Sequence, residues 1–118
     1  MTANQYCLAW LQGQGDTHVK ILTQEDMAWV ENEDLEAPPP ASTMERIRAV
    51  HEEEADDWQQ WVTPGSWDND RVLLIPGITV DGVELDSYTD ARGALAEVES
   101  WKKLLNVTEF DHYEGCIY

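Results

Sequence analysis

The sequence predicts an α+β fold, a small antiparallel sheet with two main helices packed on one face, formed by residues 1–118 as a single acidic domain. Three observations carry that expectation. Short strand-like runs open the chain, an Asp81-Gly82 turn signal divides its second half, and two long segments repeat apolar residues at helical spacing. A chain of 118 residues with 42% apolar content and six Trp has the side chains to fill one core.

Gln5 to Leu11 and His18 to Leu22 read as an antiparallel pair, with Gln12-Gly13-Gln14-Gly15-Asp16 as the loop between them. Thr23 followed by Asp26 is a helix start, and Met27, Trp29 and Val30 form one apolar side of about two turns. Pro38, Pro39 and Pro40 then impose an extended linker, since each fixes its own φ and restricts the residue before it. Ser42 with Glu45 gives a capping-box pattern for the first main helix. Met44, Ile47, Val50, Trp58 and Trp61 recur on one face of it up to Pro64-Gly65.

Arg71 to Ile75 is a continuous apolar run suited to a central strand. Ile78-Thr79-Val80 and Val83-Glu84-Leu85 flank Asp81-Gly82, whose residues readily take the positive φ of a tight hairpin. Ser87 with Asp90 opens the second main helix, with Tyr88, Ala91, Ala94, Leu95, Val98, Trp101 and Leu105 on its apolar side. Asp86 and Asp90 suit its positive end, and Lys102 and Lys103 its negative end. The tail from Thr108 to Tyr118 is a candidate final strand.

The charge is the unusual quantity. Twenty-four Asp and Glu against seven Lys and Arg give a formal net charge of -17 and a pI near 4.1. Between Glu25 and Asp57, twelve acids are offset only by Arg46 and Arg48. A field of this sign speeds encounter with basic surfaces and repels phosphates and anionic lipid, so direct binding of nucleic acid or membrane is not expected. No run approaches the ~20 apolar residues of a bilayer span, and Met1 to Gln5 lacks the pattern of a secretory leader. A cytoplasmic location is the expectation.

Local catalytic and cofactor patterns are missing from the sequence: there is no glycine-rich phosphate loop, HExxH, GxSxG or zinc spacing. No cofactor and no metal are expected. The Asp68-Asn69-Asp70 run lacks the glycine and terminal Glu of a calcium loop. The best local candidate for chemistry is His51 with Glu54, three residues apart on the apolar face of the first main helix; a core-edge bridge or a partner contact is the competing reading, and the expectation is a non-enzyme. His18 and His112 would complete such a site only if the fold brought them there. Cys7 and Cys116 form no CxxC pair and read as buried free thiols, with a disulfide open if the terminal segments are neighbouring strands. Trp29 and Trp67 divide between core and interface, Trp67 sitting in a loop beside acids.

These features predict a binding surface made of Glu45, Glu52, Glu53, Asp56 and Asp57 on the main helix, with Glu31, Glu33, Asp34 and Trp67 beside it. Carboxylates four apart on a helix lie about 6 Å apart, comparable to phosphates along one strand. The design resembles the general strategy of phage and plasmid nucleic-acid mimics that inhibit restriction, CRISPR or repair proteins, and of acidic immunity proteins that block basic nucleases. That resemblance covers charge and size, with no motif to carry over residue by residue. It implies a basic, nucleic-acid-handling protein partner, and two copies paired would lengthen the negative surface. A structural or assembly interaction domain, a salt-adapted small domain, and an enzyme using His51 and Glu54 are the competing expectations.

Overall fold

The computed structural model describes residues 5–13, 15–32, 34, 36–50 and 75–116. Among them the fold is α+β, with a four-stranded mixed sheet, a two-stranded hairpin and three short helices. In chain order these are β1 (Tyr6–Gln12), β2 (Thr17–Thr23), α1 (Gln24–Val30), α2 (Ala41–Val50), β3 (Thr79–Val80), β4 (Val83–Glu84), β5 (Asp86–Thr89), α3 (Ala91–Leu105) and β6 (Asp111–Cys116).

β1 and β2 pair antiparallel along their whole length, Tyr6 opposite Thr23 through Gln12 opposite Thr17. The tight reversal between them is closed by the Gly13 N–H donating to the Asp16 carbonyl at 2.9 Å, with Gly15 at φ +83°. α1 follows without a linker. The Thr23 side chain accepts from the Asp26 N–H and Asp26 accepts from the Thr23 N–H, a reciprocal cap at the helix start expected from the sequence.

The main sheet runs β5-β2-β1-β6. β5 and β1 are both antiparallel to β2, and β6 is parallel to β1, so β5 and β6 run the same way with two strands between them. α3, whose 15 residues span about 22 Å, is the crossover that joins them. The expected purely antiparallel sheet is therefore corrected to a mixed one, because the returning helix delivers the last strand in the parallel sense.

The expectation that the helices pack on one face is also corrected. Cys7, Ala9, Leu11 and Leu22 pack with Met27, Trp29 and Val30 of α1 and Ile47 of α2 on one side of the sheet. Leu8, Val19 and Ile21 pack with Ala94, Val98 and Trp101 of α3 on the other. β1 is apolar on both faces instead of alternating, and only a strand covered on both sides gains from that pattern. Burying each of these large side chains contributes roughly 1.5–3 kcal/mol, so both layers are needed to hold the sheet.

The Asp81-Gly82 hairpin is present, with φ of 51° and 79° at the turn. Its base is tied to β2 through one residue: the Ile21 N–H donates to the Leu85 carbonyl, the Ile78 N–H to the Ile21 carbonyl, and the Leu85 N–H to the Ile78 carbonyl. Gly77 lies where the chain enters this knot. A Cβ there would sit 2.5 Å from the Leu85 carbonyl oxygen, so only glycine fits.

Three local expectations change. α2 begins at Ala41, with the Met44 N–H donating to the Pro40 carbonyl, so Ser42 lies inside the first turn and not at its cap. The buried side of α2 carries Thr43 and Ile47, while Val50 is 57% exposed. Ser87 and Tyr88 belong to β5, not to a helix, and α3 is capped by Asp90 alone, which accepts from the Gly93 N–H at 2.8 Å. Leu95 is exposed, and α3 buries Ala94, Val98 and Trp101. Lys102 and Lys103 do occupy its last turn, and Asn106, at φ 57°, closes it. The continuation of the α2 pattern through Trp58 and Trp61, and the Arg71 to Leu74 part of the expected strand, lie outside the described residues; Ile75 at its end is fully buried.

Candidate functional site

Of the residues expected to form the acidic surface, Glu31, Asp34 and Glu45 are described, and all three are exposed. Glu31 caps the C-terminus of α1, Asp34 lies in the connection to α2, and Glu45 stands on α2. Asp34 is held in a tight local turn: its N–H donates to Asn32 Oδ1, and its own Oδ1 accepts from the Glu36 N–H. Glu33, Glu52, Glu53, Asp56, Asp57 and Trp67 lie outside the described residues, as do His51 and Glu54.

The described residues show how these acids are mounted. Asp26 is fully buried and serves as the hub. Its carboxylate accepts from the Thr23 N–H at 2.9 Å, from the Thr43 hydroxyl of α2, and from Arg46 Nη2 of α2 at 2.7 Å. Arg46 also donates to the Pro76 carbonyl at 3.2–3.3 Å. Next along the same segment, buried Lys20 donates to the Ile75 carbonyl at 2.8 Å and to Asp86 Oδ2 at 3.3 Å, and that carboxylate also accepts from the Gly77 N–H. Two acid–base pairs thus clamp α1, α2, β2 and β5 around residues 75–77.

Sequence reasoning missed this network. Apart from the Thr23–Asp26 cap and the Gly77–Asp86 contact its partners lie 17 to 66 positions apart, and Lys20 in particular reads as the polar position of an ordinary strand. The one available signal was that Arg46 and Lys20 are rare cations in a strongly acidic chain. Burial pushes the Lys20 ammonium below its ordinary pKa, and Asp86 opposes that shift.

The clamp sorts charge by depth. Lys20 and Arg46 turn inward and are matched by Asp86 and Asp26, while Asp16, Glu25, Glu31, Asp34, Glu36 and Glu45 remain exposed in the first half of the chain. In the second half Asp81, Glu84, Asp90, Glu97, Glu99, Glu109, Asp111 and Glu114 are exposed too. Against them, Arg48, Arg92 and Lys103 are the exposed basic side chains among the described residues, and Lys102 lies 3.5 Å from Glu99. The acids are not confined to the Glu25 to Asp57 segment.

Other candidates separate. His18 stands opposite Leu11 and His112 opposite Leu8, positions that face opposite sides of the sheet, so the two imidazoles share no site. Trp29 is core: it is 3% exposed and its indole N–H donates to the Ala37 carbonyl at 2.9 Å. Cys7 is free and buried; burial pushes its thiol up to about 11, with Asp111 and Glu31 adding to the shift. The Cys116 backbone pairs with Gln12, five positions along β1 from Cys7, a strand distance of roughly 17 Å. Among the described residues no His, Cys, Asp and Glu are grouped to hold a metal ion, and no helix is long and apolar enough to cross a membrane.

No protein-family model matches the chain, and no curated protein and no solved structure matches it.

Proposed function

We propose that this protein is an acidic binding module, an inhibitor or adaptor that occupies the basic groove of a nucleic-acid-handling protein in place of the nucleic acid. The observation that supports the reading is the sorting of charge by depth: the interior pairs consume Lys20 and Arg46, and the carboxylates are left outside with few cations to neutralise them. Cations scattered among the surface acids would have given short-range ion pairs and a weak outer field. Each inward pair is neutral, so the whole net charge of -17 stays outside on a braced scaffold, a polyanion that a groove built for phosphates attracts at long range.

Glu31, Asp34 and Glu45 then act with Glu33, Glu52, Glu53, Asp56 and Asp57 as the principal contact, and Trp67 as an apolar anchor beside them. The test is affinity capture from cells at low and high salt, with the native chain and with a chain in which Glu52, Glu53, Asp56 and Asp57 are changed to Lys. The proposal expects a nuclease, polymerase or CRISPR-type complex held at low salt and lost both at high salt and on charge reversal. Capture of proteins with no nucleic-acid function, or retention by the reversed chain, overturns it. A melting temperature that climbs steeply into molar salt would favour salt adaptation instead.

A further inference from the structure

Tyr88 is the most exposed large hydrophobic side chain among the described residues, at 61%. It lies on β5 directly opposite His18 on β2, and the two rings meet with centroids 4.4 Å apart at 51°. The Asp16 carboxylate, in the turn that opens β2, lies close enough to the Tyr88 hydroxyl to hold the phenol above its ordinary pKa. The aromatic thus packs against an imidazole and has a carboxylate near its hydroxyl, while most of its surface stays in water. Packing does not account for this, since the hydrophobic cores on both sides of the sheet are assembled without Tyr88.

The electrostatics select a ligand. Asp16 places a negative charge near the ring, and burial together with Lys20 pushes His18 below its ordinary pKa against the opposing pull of Asp86 and Asp16, which disfavours a repelling charge on the imidazole. Lys20 itself is matched to Asp86. An exposed ring face beside a carboxylate suits a planar cation, which stacks on the ring and donates to the acid. Arginine meets both demands in one group, and lysine meets the stacking demand less well.

We propose that the Asp16, His18 and Tyr88 cluster is a recognition point for an arginine side chain of the basic partner. The identity of the partner rests on the function proposed above; the chemistry of the cluster does not. The test follows the ring resonances of Tyr88 and His18 by NMR while the full chain is titrated with a hexa-arginine peptide at low ionic strength, and then with hexa-lysine. Hexa-arginine should shift both rings saturably, and more strongly than hexa-lysine. Tyr88→Leu and Asp16→Asn, both at exposed positions, should each weaken hexa-arginine binding roughly two- to fivefold. If hexa-arginine perturbs other acidic regions and leaves these rings unmoved, or binds Tyr88→Leu as tightly as the native chain, the inference falls while the proposed function stands. If the rings respond as expected but the captured cellular partner handles no nucleic acid, the proposed function falls and the recognition point stands.

Discussion

Replacing Asp26 by Ala is the perturbation with the largest expected effect on this fold. The carboxylate is fully buried and holds three donors from three places: the Thr23 backbone, the Thr43 hydroxyl and the Arg46 guanidinium. The Arg46 side chain is 16% exposed, so after substitution its charge stays mostly desolvated, and among the described residues the Pro76 carbonyl is the acceptor left to it. Removing one member of a buried ion pair costs about 3–5 kcal/mol, and the lost cap belongs within that figure because the same oxygen serves both contacts. For a chain of this length about 1 kcal/mol corresponds to roughly 4 °C, so the melting temperature should fall by roughly 12–20 °C. Thermal and urea unfolding followed by circular dichroism give the measurement. Arg46→Met alone should also destabilise, and the double variant should lose less than the two singles together, since it leaves no uncompensated charge. A fall of under about 4 °C for Asp26→Ala, or strict additivity in the cycle, would refute the hub.

The remaining predictions concern other parts of the fold. Gly77→Ala forces a Cβ against the Leu85 carbonyl and should cost about 1–3 kcal/mol by chemical denaturation, whereas Gly82→Ala, at positive φ in open space, should cost about 1 kcal/mol. In a Cys116→Ser chain, Cys7 should resist alkylation at pH 8 until denaturant is added; equal labelling rates folded and unfolded would contradict its burial. The folded Cys7 thiol binds its proton more tightly than the unfolded one, so its contribution to stability holds below pH 9 and is lost as pH rises toward 11; a Cys7→Ala chain should show a flatter decline over that window. Because the surface repels itself, the melting temperature should rise as salt goes from about 0.01 to 0.15 M, where the Debye length shrinks from about 30 to 8 Å, and then level off.

Much of the fold could be read locally. The β1–β2 pair, the Thr23 and Asp26 cap and the Asp81-Gly82 hairpin each rest on neighbours in sequence, and local signals found them; the last strand was legible from its own aromatic residues although its partner, β1, is distant. What sequence reasoning missed depends on distant partners. Ser87 and Asp90 carry a helix-start signature, yet pairing of Asp86 to Thr89 with β2 and the attraction of Asp86 to Lys20 draw that stretch into the sheet. The helices on both faces follow from β1 burying consecutive residues, a pattern visible in Cys7-Leu8-Ala9 but readable as a simple edge of a one-sided core. For the site, the acidity of Glu31, Asp34 and Glu45 was legible because charge is a property of residues. The clamp under them and the Tyr88 cluster were not, because both are made by register across the sheet.

The most direct test of the binding claim is a competition. The captured partner, immobilised with this protein bound, is challenged with the duplex or RNA that the partner normally holds, across a series of salt concentrations. Release of this protein in proportion to added nucleic acid, with affinity falling linearly on a log–log salt plot, is the predicted result. A ternary complex in which both remain bound, or an affinity indifferent to salt, would contradict the claim that these carboxylates stand where phosphates would.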